Sequence, residues 1–173
     1  MTTDFIPRGP HQRGIHERAW VDHTVVSIER DVIIHPGAVV GATPFSYDRK
    51  QSPPKRKLSY EGVYLAAHVE IMSNAVIDCG LDRTTMLLEG VKVDHLAHVG
   101  HDAWIGRDSV ICSQAFIGGF VHIGTRCYVG AGACIKPRVT LGDDVKVGMG
   151  AVVLEDVPDK AVVVGNPGRI LKR

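Results

Sequence analysis

Residues 93–124 read VDHLAHVGHDAWIGRDSVICSQAFIGGFVHIG, and an aliphatic side chain stands at every sixth position: Val93, Val99, Ile105, Ile111, Ile117 and Ile123. Followed outward, the series runs back through Leu87 to Leu81 and forward through Val129, Ile135, Leu141 and Val147 to Val153, thirteen members without a slip. Four residues after each member comes a small or β-branched residue, from Thr85 and Val91 through Ala97, Ala103, Ser109 and Ala115 to Ala151 and Val157. A helix repeats every 3.6 residues and a strand every two, so neither alone makes this double pattern. A six-residue unit cannot bury its own apolar side; it must stack on copies of itself, and the architecture with that period is a parallel β-helix. The aliphatic residues fill its interior and the small ones fit where the chain turns. Glycine after many of the aliphatics, as in VG, IG and LG, fits tight backbone geometry near the corners.

The rest of the chain repeats less regularly. Ile28, Ile34 and Val40 are spaced by six, as are Leu65, Ile71 and Ile77. Between these groups lies TPFSYDRKQSPPKRKLSY (43–60), proline-rich and basic, which must loop out. A second break, IDCGLDRTT (77–85), puts only four residues between Ile77 and Leu81. The expected organisation is a single domain: an arm or cap over residues 1–27, a β-helix over 28–158 with loop 43–60 extruded, and a tail over 159–173.

Twenty Lys+Arg against nineteen Asp+Glu leave a formal charge of +1. No sequence-wide field therefore argues for nucleic acid or an anionic membrane, and any basic site must be local. No apolar run reaches the length of a signal peptide or a membrane span, so the reading is a cytoplasmic protein with neither partner. Cys79, Cys112, Cys127 and Cys134 show no C-x-x-C pair and no zinc-finger spacing, which fits reduced, mostly structural thiols.

On these repeats the chain resembles the hexapeptide-repeat acyltransferases, and two branches of them in particular. NAVIDCGLDRTTMLLEGVKVDHLAHVGHDAWIG (74–106) is similar to the lipid A acyltransferases that act on UDP-sugars, including their interrupted coil and the basic loop before it. HDAWIG, with VGAGACIKPRVTLGDDVKVGMGAVVLEDVPDKAVVVGNPGRILK (129–172), resembles the acetyl-CoA-dependent sialic-acid and bacillosamine-type sugar acetyltransferases. Within it VVVGNPGR (162–169) is the more diagnostic piece. The resemblance implies an all-β fold, a left-handed parallel β-helix of three hexads per coil, and a homotrimer. It also implies transfer of an acetyl or other short acyl group from acyl-CoA to an amine or hydroxyl of a sugar, expected to be nucleotide-linked. Acetyl-CoA or another acyl-CoA is then a co-substrate, and no cofactor is bound permanently. Two alternatives stand beside this reading. One is a long-chain, acyl-ACP-dependent UDP-sugar acyltransferase of lipid A type; the other is a γ-carbonic-anhydrase-like metalloenzyme. Phe120 departs from one lipid A family, which has histidine after the glycine pair, and the H-x4-H spacing of the γ-carbonic anhydrases is missing.

With eighteen residues per coil, residues eighteen apart stack about 4.8 Å from one another. His95 then aligns with Ser113, His98 with Phe116, His101 with Gly119 and His122 with Trp104. No two of these histidines share a column, so three nitrogens at about 2.0–2.1 Å from one metal cannot come from this motif in one chain, and no metal ligand is assigned. By resemblance His101 is the general base, Asp102 its acidic neighbour that orients the ring, and Gly119 the amide that meets the thioester oxygen. Asp78, His95 and His98 are expected to contact substrate, the two histidines facing the same cleft as His101. Ala131 and Met149, eighteen apart, are the donor column by resemblance, with Lys160, Arg169 and Lys172 placed to meet the CoA phosphates. Arg49, Lys50, Lys55, Arg56 and Lys57 form a second candidate phosphate contact. Each also has a plain structural reading, from a solvated histidine to an ordinary corner glycine.

Overall fold

In the computed structural model, which describes residues 14–57 and 61–171, the repeat is written as strands of two to four residues. In Lys92–Val93, His98–Val99 and Trp104–Ile105 the aliphatic residue points inward and its predecessor outward. The strands pair in parallel eighteen residues apart, Val93 with Ile111, Val99 with Ile117 and Ile105 with Ile123. Three sheets of nine, seven and six strands result, and the chain visits them in rotation. We call them the first face (Lys92–Val93), the second (His98–Val99) and the third (Trp104–Ile105). This is the all-β parallel β-helix that the period of six demands. No helix among the described residues is long and apolar enough to cross a membrane. The inward residues Leu87, Val99, Ile105, Ile111, Ile117, Ile123, Ile135 and Leu141 are fully buried, and Ala97, Ala103, Val121 and Ala133 are buried at the corners.

Three residues after each aliphatic the backbone turns left-handed, in unbroken steps of six from Gly90 through Leu96, Asp102, Asp108, Gln114, Phe120, Arg126, Gly132, Arg138 and Asp144 to Gly150. Most of these are not glycine, although the left-handed region costs an L-residue roughly 1–2 kcal/mol, so the stacking of the coils imposes the turn. The glycines that follow the aliphatics have a different cause. At Gly118 a Cβ would lie 2.5 Å from the Pro137 backbone nitrogen of the next coil. Close approach of coils, rather than the turn itself, selects glycine there.

Several boundaries differ from the sequence expectation. Leu87 pairs with Leu65, twenty-two residues away, so four residues are inserted into that coil. Leu81 falls within the insertion as a turn residue; it is buried but stands apart from the main core, and its fit to the series is a coincidence of spacing. Val40 pairs with Ile77, thirty-seven residues away, because the loop intervenes; in that loop Tyr47–Asp48 and Lys55–Arg56 form an antiparallel hairpin. Gly14–Ile15, Trp20–Val21 and Val26–Ile28 pair onto the first, second and third faces. Residues 14–27, expected as an arm or cap, therefore form the first coil, and residues 1–13 lie outside the described residues. The seven-residue step from Val21 to Ile28 had hidden these hexads. In the expected tail, Val162–Val164 continues the first face beside Lys146–Val147 and Arg169–Ile170 folds back antiparallel to it. Lys172 lies outside the described residues.

Candidate active site

Both breaks in the repeat fall at one corner of the prism. The extruded loop leaves the second face after Ala42 and rejoins the third at Val63. One coil later residues 79–84 bridge Asp78 of the second face to Thr85 of the third. The following coils bring His101 and Asp102, then Gly119 and Phe120, then Pro137 and Arg138 to the same corner. Two insertions stacked above a regular column make a wall, and beneath it lies a cleft of about 290 Å³ lined by Lys57, Leu81, His101, Gly119, Phe120 and Arg138 among others.

The shorter insertion is organised around Asp102, whose side chain is fully buried. Its carboxylate accepts hydrogen bonds from three successive backbone amides, Leu81 at 3.1 Å, Asp82 at 2.8 Å and Arg83 at 2.7 Å. Its own amide donates to Thr85 Oγ1 at 2.9 Å, and Arg83 Nε donates to its carbonyl at 3.1 Å. Burial pushes the Asp102 carboxyl up, but the His101 ring and the amides of Asp82, Arg83 and Leu81 outweigh it and hold the group below the usual carboxylate range. The carboxylate is thus an acceptor only. His101 Nδ1 lies 2.6 Å from Asp102 Oδ2 and must carry the proton of that bond, which leaves the Nε2 lone pair of the neutral ring free to accept another.

Gly119 closes over this ring. A Cβ there would lie 2.7 Å from both His101 Cε1 and Nε2, so only glycine lets the imidazole sit where it does. Among the described residues the Gly119 amide donates to no acceptor of the chain. Phe120, in the left-handed position, meets the His101 ring at right angles, 5.2 Å between centroids, and the Arg138 guanidinium lies over the Phe120 ring, 4.2 Å from its centroid. A free imidazole nitrogen, an unused amide and a cleft are together what proton abstraction from an attacking amine or hydroxyl at a thioester requires.

The structure brings His101, Asp102 and Gly119 together, and it separates the others. His98 sits on the second face, its Nε2 3.1 Å from Oδ2 of the buried Asp78, with the Phe116 ring 5.4 Å from its own. His95 is exposed at the corner between the first and second faces, its nearest carboxylate contact being Asp94 at 3.9 Å. Neither lines the His101 cleft, because the chain turns a corner between successive hexads. Ala131 and Met149 stack at the His95 corner, where the Gly150 amide donates to the Ala131 carbonyl. Lys160 occupies the corner leading back to the first face, and Arg169 lies on the terminal antiparallel strand. Among the described residues no three His, Cys, Asp or Glu side chains converge as metal ligands. Sequence reasoning missed Thr85, the three amides of 81–83, and Arg138. The signal that finds them is the coil phase: both breaks and His101 share one corner when positions are counted along the eighteen-residue coil.

The β-helix with a cleft at an interrupted corner defines a class, the hexapeptide-repeat proteins, and the comparisons agree. The family described as bacterial transferase hexapeptide (six repeats) matches residues 120–155. A UDP-3-O-acylglucosamine N-acyltransferase of Rhizobium meliloti (strain 1021) is 37% identical over 146 residues, 84% of this chain and 41% of the relative. The chain thus spans about two-fifths of the length of that relative. Among solved structures, the acetyltransferase domain of PglB from Neisseria gonorrhoeae FA1090 superposes with a TM-score of 0.59 at 28% identity, covering 84% of this chain and 57% of that one. LpxA from Acinetobacter baumannii shares the fold at a TM-score of 0.71 and 18% identity, over 91% of this chain and 73% of that one.

Proposed function

We propose that the protein is an acyltransferase that moves an acetyl or other short acyl group from acyl-CoA to an amine or hydroxyl of a nucleotide-linked sugar. The observation that carries this reading is His101, tied at Nδ1 to the buried Asp102 and leaving Nε2 free beneath Gly119. The acceptor nitrogen or oxygen attacks the thioester carbonyl while His101 Nε2 takes its proton. The Gly119 amide stabilises the tetrahedral oxyanion, which collapses to the amide or ester and expels the thiolate, to which His101 returns the proton. The nucleotide-sugar acceptor is supported by the 37% identical relative named for UDP-3-O-acylglucosamine. The CoA donor is supported by VVVGNPGR and by the 28% identical acetyltransferase domain.

The assembly proposed is a homotrimer. The outward column of the second face is largely apolar, running Trp20, Val39, Val76, His98, Phe116, Cys134 and Val152, and Trp20 and Phe116 are 51% and 41% exposed. An apolar stripe of that length needs cover. The His101 corner and the Ala131–Met149 corner flank this same face, so a second copy seated on it meets both, and the donor lies in the groove between copies. Asp78 and His98 on this face then contact the acceptor, and Lys160 and Arg169 the CoA phosphates.

The identity of the relative favours one second reading, an acyl-ACP-dependent transferase of lipid A type. Steady-state assays with acetyl-CoA and with a long-chain acyl-ACP, against a panel of UDP-amino-sugars that includes UDP-3-O-acylglucosamine, separate the two. Turnover with acetyl-CoA at least a hundredfold above that with acyl-ACP is expected. Turnover with acyl-ACP alone would replace the CoA reading with the second one, and turnover with neither donor sinks both.

A further inference from the structure

We propose that Arg138, its guanidinium carbon 4.2 Å over the Phe120 ring, is the contact for the diphosphate of the acceptor, with Lys57 of the extruded loop lining the same cleft as a second contact; this rests on the nucleotide-sugar reading above. Three cations, Lys57, Arg83 and Arg138, gather at the cleft corner against two carboxylates, Asp82 and the buried Asp102, which is already engaged by His101 and three backbone amides. Two other corner arginines are paired, Arg107 with Glu89 at 2.6 Å and Arg126 with Asp144 at 2.8 Å. Among the described residues Arg138 and Lys57 have no such carboxylate. Arg83 is partly committed, its Nε bonded to the Asp102 carbonyl and its guanidinium 5.6 Å from the Phe120 centroid.

Stacking on an aromatic ring does not consume a guanidinium. It fixes the plane and leaves the N–H groups along the edge free for a bidentate oxyanion such as phosphate. Phe120 is itself fixed, since its left-handed corner position is set by the coil and its amide donates to the His101 carbonyl at 2.9 Å. One ring therefore lies between the proton acceptor, 5.2 Å away and perpendicular to it, and the cation, 4.2 Å from its centroid.

That spacing decides which phosphate is bound. In a nucleotide sugar the diphosphate is attached to the sugar ring itself, so its oxygens lie within a few bonds of the reacting amine or hydroxyl. In CoA the pantetheine arm separates thioester from diphosphate by about four residues' length of extended chain, roughly 14 Å. A cation sharing one phenyl ring with the base is too close for the second and suits the first. The extruded loop has a matching role, because it carries Lys57 into the same cleft.

The test is calorimetric titration of the full chain with UDP and, separately, with CoA, on wild type, Arg138→Gln and Phe120→Leu. Arg138 is exposed, so the glutamine variant keeps the fold. We expect UDP affinity to fall at least tenfold in Arg138→Gln and three- to tenfold in Phe120→Leu, where the charge remains but loses its platform. CoA affinity changes less than twofold, and the UDP difference shrinks in high salt. UDP affinity within twofold of wild type in Arg138→Gln overturns the assignment, as does a loss of CoA affinity in place of UDP affinity. Failure of wild type to bind UDP overturns it as well. In that case acetyl transfer to an amino sugar without a nucleotide shows whether the acyltransferase reading survives it.

Discussion

Replacing Gly119 by alanine separates a glycine kept for the histidine from one kept for the corner. The added Cβ would lie 2.7 Å from Cε1 and Nε2 of His101 and 3.1 Å from Nδ1. Ordinary carbon contacts begin near 3.5 Å, so the ring must withdraw by about 0.8 Å. It cannot do so and keep its 2.6 Å bond to Asp102, because Asp102 is fixed by three amides of the insertion. A misplacement on this scale costs on the order of 10²-fold in rate. The backbone is not the cause: φ at Gly119 lies outside the left-handed region, and alanine keeps the amide N–H at this position. Reduced freedom of the unfolded chain favours alanine by roughly 0.4–1 kcal/mol, which offsets part of the strain at the ring. The expected outcome is kcat about a hundredfold lower with Tm within about 4 °C of wild type. A Tm that collapses while the rate of the folded fraction holds would make Gly119 an ordinary corner glycine. A kcat within threefold of wild type would refute the geometry altogether.

Three further outcomes follow from other residues. Asp102→Asn can no longer accept from His101 and all three amides at once, so kcat should fall roughly 10²–10³-fold. Because the folded carboxyl sits below its ordinary value, Asp102 contributes stability that is fully present above about pH 4 and lost as pH falls through its folded pKa; acid unfolding monitored by circular dichroism should therefore be less steep in the variant, and an identical profile would argue against the buried carboxylate. Ile111→Ala empties a fully buried place between Val93 and Val129 on the first face, and chemical denaturation should show a loss of about 2–5 kcal/mol with kcat at 25 °C unaltered. Burial, aided by the Asp78 charge, pushes the Cys79 thiol up to about 11, so peptide mapping after iodoacetamide should find it labelled on the order of 10²-fold more slowly than a free thiol, and rapid labelling would contradict its burial.

The fold was legible because its period is written in residues that have no alternative place. Ile105, Ile117 and Ile123 can be buried together when six residues make a side; that three sides make a coil is what the family resemblance implies, and the eighteen-residue register bears both out. Ile15 and Val21 were not legible as a coil, since one extra residue before Ile28 shifts their phase and two hexads alone carry no period. Leu81 misled for the opposite reason, an aliphatic in an insertion that happens to keep step. At the site, stacking arithmetic places His101 under Gly119 and keeps His95 and His98 out of any shared column. It leaves open which corner each occupies relative to a cleft, because clefts are made by the insertions, and an insertion shows in sequence only as a break. The hold of the 81–83 amides on Asp102 is a matter of backbone direction, which no side-chain pattern encodes. Arg138 reads as one more charged corner residue until its ring partner is seen.

Turnover of His101→Ala bears most directly on the central claim, that one imidazole oriented by a buried carboxylate takes the acceptor proton. Measured with saturating acetyl-CoA and a UDP-amino-sugar that wild type accepts, kcat should fall about 10²–10⁴-fold while both ligands still bind. A variant that turns over within a few-fold of wild type would remove the base from His101 and with it the proposed chemistry of this cleft.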